Sequence, residues 1–133
     1  MRRYKKYITK GINEPLSKVA FHKKAPIKRI SMLSKKTISE SKIHAAVHFV
    51  DAVDKKISKY STLHKHDADE INMILSDSGK LFYEIQLDDE IYKVNSPVTV
   101  FIPKGVKHRA DAISGKGIFV CLIMSNKYKT TQS

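Results

Sequence analysis

The sequence contains no tryptophan and a single cysteine, Cys121, among its 133 residues. One thiol makes no internal disulfide, and a cysteine-based zinc site is excluded. Acidic residues are scarce at one end. The first 40 residues hold 12 Lys/Arg against Glu14 and Glu40 alone, whereas the rest hold 13 basic and 11 acidic residues. Long apolar runs are missing too. The longest, Ile118 to Met124, has seven residues, far below the roughly 20 that a membrane helix needs. The basic opening MRRYKKYITKG has no apolar stretch behind it, which predicts no secretory signal. These absences lead to the expectation of a soluble, cytoplasmic protein with no membrane partner. Length and an apolar share of 41% allow one domain with one core. They leave no room for a dinucleotide-binding domain joined to a separate substrate domain.

What is present is charge, and it is uneven. Of the net charge of +12, all but +2 lies in the arm over residues 1–40. Clustered Lys/Arg attract nucleic acid, anionic surfaces or acidic metabolites through counterion release and a focused field. No recognition helix, helix-turn-helix or interleaved stacking aromatics accompany the cluster. The preferred reading is therefore a solvated, lysine-rich surface, with nucleic acid not expected as a partner. The arm is irregular by pattern, punctuated by Gly11, Pro15 and Pro26, with room for one short helix or an early strand.

From residue 43 the character changes. IHAAVHFVDAV, LHKH (63–66), EINMILS (70–76), KLFYEIQL (80–87), EIYKV (90–94), VTVFI (98–102), KHRADAI (107–113) and IFVCLIM (118–124) are short runs rich in β-branched and aromatic residues. Turn-forming clusters separate them, among them Ser76–Gly79, Pro103–Gly105 and Ser114–Gly117. Short strands at close spacing with polar or Gly/Pro turns predict an antiparallel sandwich or barrel. The fold class is all-β, an antiparallel jelly-roll barrel over 41–126, with the basic arm before it and a tail over 127–133.

Chemistry concentrates in the histidines. His64 and His66 stand two apart, so on a strand both rings point to one face. Glu70 has the same parity, four residues on. His108 follows the turn Pro103-Lys104-Gly105. Imidazole suits divalent Fe, Ni, Cu and Zn, and a carboxylate extends the range to Mn. Three nitrogens and one oxygen leave a position open on a five- or six-coordinate ion, as a catalytic metal requires. His44 and His48 share a strand face. If that face is inward, His48 lines the pocket as an acid, base or substrate contact; otherwise it is a satisfied core histidine. Tyr83 and Glu84 lie on opposite faces of one strand, so at most one points inward. Arg109, with Lys104, faces solvent or the mouth, where it could steer an anion. His48, Tyr83 and Arg109 are the candidate substrate contacts. Asp67 and Asp69 read as turn formers, and Cys121 as a small buried apolar residue.

His64-Lys65-His66-Asp67-Ala68-Asp69-Glu70 resembles the first cupin motif, His-x-His followed three or four residues later by Glu. Pro103-Lys104-Gly105-Val106-Lys107-His108 resembles the second, Pro-x-Gly-x-x-His. The resemblance covers about residues 43–124. It implies a small conserved-barrel cupin, with His64, His66, Glu70 and His108 as ligands of one divalent metal (Fe, Mn, Ni, Zn or Cu) at the centre of the barrel. There are departures. Asp77 stands where the family usually has a glycine, Pro97 stands where another usually opens the second motif, and Ala112 replaces an Asn often found after the last histidine. The first two touch turns; the third touches the surroundings of a ligand. The resemblance implies a metalloenzyme acting on a small organic substrate, by dioxygenase or by sugar isomerase/epimerase-like chemistry. The alternative is a non-catalytic cupin that binds a small ligand as sensor or carrier. It also implies a homodimer, since small cupins commonly pair through strands.

Overall fold

Period-two alternation governs the chain from residue 28 onward. The computed structural model describes residues 2–52 and 57–132. The strands are β1 (Ile12–Asn13), β2 (Lys28–Leu33), β3 (His44–Ala52), β4 (Lys65–His66), β5 (Glu70–Leu75), β6 (Leu81–Leu87), β7 (Glu90–Asn95), β8 (Val98–Ile102), β9 (His108–Ile123) and β10 (Thr130–Thr131). The strand pairings are all antiparallel: β1-β2-β3-β9-β5-β8 run side by side, β6 joins β7 to the first half of β9, and β10 pairs β4. This is the all-β jelly-roll arrangement that the strand spacing predicts. Val53, the last residue of the predicted run IHAAVHFVDAV, lies outside the described residues.

The arm is irregular apart from two short 3-10 turns (Lys5–Tyr7 and Leu16–Lys18) and the strands β1 and β2. It is nevertheless anchored. Leu16 and Ile27 are buried in the core, and β2 lays Arg29 and Ser31 on the inner face of the sheet opposite β3. Among the described residues no helix is long and apolar enough to cross a membrane.

One predicted turn is not a turn. Ser114–Gly117 lies inside β9, a single 16-residue strand. Gly115 has φ of +103°, and a Cβ there would sit 1.8 Å from the carbonyl oxygen of Lys80. The glycine therefore serves a close backbone crossing, where the ladder to β6 shifts register. Because β9 is unbroken, its second half pairs with β3 and β5 while its first half pairs with β6. It joins the two layers.

The inner rows of the strands change character along their length. On β3 the row runs His44, Ala46, His48, Val50, Ala52; on β5 it runs Glu70, Asn72, Ile74. One end of the interior is thus polar. The other is an apolar core of Val50, Ile74, Leu81, Tyr83, Ile85 and Phe119, with the rings of Tyr83 and Phe119 stacked at 4.9 Å.

Candidate metal centre

The polar end is pinned by backbone. The His64 N–H donates to the His108 carbonyl at 3.0 Å, and the His108 N–H donates to the His64 carbonyl at 2.7 Å. This two-way bridge holds residues 44 apart in sequence side by side. The flanking turns are stitched to it. The Gly105 N–H donates to the His66 carbonyl at 2.9 Å. The Asp69 carboxylate accepts from the Lys104 N–H at 2.8 Å, and Asp67 accepts from the Lys129 N–H at 2.6 Å. Both aspartates, expected as turn formers, instead tie this bend to segments distant in sequence.

His64, His66 and His108 are all buried, and their ligating nitrogens lie within 4.8 Å of one another. Glu70 Oε1 stands 3.1 Å from His66 Nε2 and 3.3 Å from His108 Nε2. The far nitrogens are all occupied. His64 Nδ1 meets the Thr62 carbonyl, His108 Nδ1 meets the Val106 carbonyl at 3.0 Å, and His66 Nδ1 meets the Thr130 hydroxyl at 2.9 Å. A carbonyl only accepts, so the protons of His64 and His108 sit on Nδ1 and the Nε2 lone pairs face the centre. Asn72 Nδ2 donates to the second oxygen of Glu70 at 2.8 Å, fixing the carboxylate plane.

Electrostatics follow from burial and pairing. Burial alone would raise the Glu70 carboxyl, but its close pairing with the His108 and His66 rings reverses this and holds it well below the usual carboxylate range. Burial lowers His108, yet the Glu70 carboxylate outweighs burial and raises it. Burial pushes His64 down to about 4, so its imidazole is neutral at neutral pH.

These residues fit a divalent metal. With Nδ1 turned to the Val106 carbonyl, the buried His108 Nε2 presents a lone pair 3.3 Å from the Glu70 carboxylate without a hydrogen bond between them, an approach of two acceptors that a shared cation relieves. Three nitrogens and an anionic oxygen this close together suit one ion at metal–donor distances of about 2.0–2.2 Å.

The donors open into a cavity of about 70 Å³. His48 lines it. Its ring lies 5.0 Å from that of Phe119, and burial lowers it to about 3. Cys121, on β9, lines it too and is half-buried. Residues from the two ends of the chain pack around the histidines, and of these His22 and Tyr128 line the cavity. Phe21, with a left-handed φ of 63°, stacks on the His64 ring at 5.8 Å, and His22 meets the same ring edge-on at 5.4 Å. A left-handed non-glycine residue costs about 1–2 kcal/mol, so the packing over His64 has to outweigh that strain. Tyr128 lies edge-on to His66 at 5.0 Å. Arg29, from β2, completes the wall.

Two candidate contacts lie elsewhere. Arg109 follows a ligand directly, so the strand alternation turns it to the opposite face. There it bonds Gln86, Glu84 and Asp111, while Asp111 accepts from the backbone of Tyr60 and Ser61. It anchors the segment leading into His64. Tyr83 does point inward, but at the apolar end, where it is fully buried against Phe119. Neither lines the cavity. The pattern reading missed His22, Arg29, Tyr128 and Thr130. Only Arg29 carried a signal, the inward parity it shares with Ser31 in KRISML.

No family model matches the chain, and no curated protein matches its sequence. Solved structures do match. A cupin 2 conserved barrel domain protein from Rhodopseudomonas palustris is 18% identical over 90% of this chain and 75% of its own, with a TM-score of 0.58. The polyketide cyclase RemF from Streptomyces resistomycificus is 15% identical over 99% of this chain and 84% of its own, also at 0.58. A predicted oxalate decarboxylase from Thermotoga maritima is 18% identical over 74% of this chain and 80% of its own, at 0.57. Topology, strand register and these likenesses agree: the chain has the cupin fold.

Proposed function

We propose that the protein is a metal-dependent enzyme acting on a small organic substrate, its divalent ion held by His64, His66, Glu70 and His108. The observation that supports this most is the close approach of His108 Nε2 to the Glu70 carboxylate at 3.3 Å, with the far nitrogens of all three histidines tied. Such an ion supplies Lewis acidity, polarising a substrate oxygen at an open position. The chain supplies the proton carriers. His48 lines the cavity as a neutral imidazole with an unpartnered Nδ1. His22 Nδ1 donates to the Ala20 carbonyl at 2.7 Å, which leaves its Nε2 as an acceptor. Imidazoles on the wall beside the ion are the groups an isomerase or epimerase-like proton transfer would use. The donor set also suits ferrous iron, so dioxygenase chemistry is the second reading.

The test is turnover of sugars and small oxoacids by the metal-loaded protein in D2O, with dioxygen uptake followed in parallel. Deuterium incorporation without dioxygen uptake is expected. Dioxygen consumption with substrate selects the second reading, and a loaded protein that does neither sinks both.

A homodimer is part of the same reading. The outer rows of β3, β9, β5 and β8 are apolar, and Phe49, Leu75, Phe101 and Ile118 are exposed on them. Paired sheets would cover this face. Sedimentation at micromolar concentration is expected to show a dimer, and Phe49→Asp with Ile118→Asp a monomer. A monomeric parent would remove the idea. Localisation in the cytoplasm remains part of the proposal, resting on the lone cysteine.

A further inference from the structure

We infer that Arg29 is the anion-binding residue of the cavity and that the substrate is a small carboxylate, gripped by the guanidinium while the metal centre engages another of its oxygens. The second half of this inference rests on the metal reading above.

Arg29 is only 7% exposed and sits on the inner face of β2, in register with His48 across the ladder. It lines the same cavity as the four donors. A buried guanidinium is costly unless its donors are used. Among the described residues only Nη1 is used, and only by Glu14, through the carboxylate Oε1 and the backbone carbonyl at 3.4 Å. Nε and Nη2, the edge that matches a planar carboxylate with two parallel hydrogen bonds, have no such partner. Glu14 is one-third exposed and comes from the irregular arm. It occupies one corner of the fork and leaves that edge free.

The charge of the cavity points the same way. Among the described residues Glu70 is the only carboxylate on its wall. A divalent ion together with Arg29 leaves the interior positive by one charge even after Glu70 and the Arg29-paired Glu14 are counted. An anion neutralises that excess, and the cavity of about 70 Å³ restricts it to a small one.

The test uses the full chain loaded with Mn2+, its metal content measured on the same sample. Calorimetry compares acetate, lactate, malonate and succinate with their amides. At least one acid is expected to bind ten times or more tighter than its amide. Arg29→Gln should weaken that acid by 30-fold or more, and Arg29→Lys by a smaller factor. Glu14→Gln should tighten it severalfold, because the internal competitor is gone. That opposite sign is what a merely structural ion pair would not give, and Glu14→Gln keeps the test alive should Arg29→Gln fail to fold. The inference is overturned if amides bind as well as acids, if inorganic phosphate binds better than every acid, if Arg29→Gln retains the affinity, or if Glu14→Gln weakens binding. A parent chain that takes up no metal sinks the metal reading instead. In that case the acid-over-amide preference and the opposed effects of the two variants, measured on the metal-free chain, still decide the role of Arg29.

Discussion

Exchange of His64 and His108 together for alanine is expected to abolish metal retention while leaving the fold intact. Two of the three nitrogens that approach one another within 4.8 Å would be gone. What remains is His66 and Glu70, a two-donor set that cannot compete with water for a divalent ion. The fold should survive because the bridge between the two positions is backbone to backbone, and alanine keeps both of its hydrogen bonds. Elemental analysis after extensive dialysis should fall from about one ion per chain to near zero. The far-ultraviolet spectrum should not change. Turnover should vanish with the metal. A double variant that holds its ion as firmly as the parent would place the ion elsewhere, and the proposed function would fall with it.

The second large effect concerns stability. Gly115→Ala should cost about 3 kcal/mol or more. The left-handed backbone there accounts for about 1–2 kcal/mol. The rest comes from the new methyl, which would overlap the Lys80 carbonyl oxygen at 1.8 Å and force β6 and β9 apart. In a domain of this size the melting temperature should drop by about 10 °C. Gly105 provides the control. Its φ is +84°, but a Cβ there meets nothing within 4 Å, so Gly105→Ala should cost only the backbone preference. Equal losses at both positions, read from urea unfolding curves, would show that the close crossing does not matter.

Much of the sheet was legible because strand signals are local. Glu70–Leu75, Leu81–Leu87 and Val98–Ile102 follow from β-branched runs bounded by turn residues. The cluster of His64, His66, Glu70 and His108 was legible because two short motifs carry all four residues. Gly115 was misread as part of a turn because glycine marks turns and close crossings alike, and only the partner strand tells them apart. Arg109 was misplaced although parity alone sets it on the face opposite His108. Tyr83 shows the limit of parity, which gives the face of a strand but not which end of the barrel a residue occupies. His22, Tyr128 and Thr130 lie in segments with no periodicity, and their neighbours His64 and His66 are distant in sequence.

The imidazoles of His64 and His66 are walled by Phe21 and His22 from one end of the chain and by Tyr128 and Thr130 from the other. These segments are held by short bridges and not by long ladders. Such regions open more readily than the sandwich beneath them. Exchange of the bound ion with solvent should therefore keep pace with the lifting of these flaps, at a rate far above that of global denaturation.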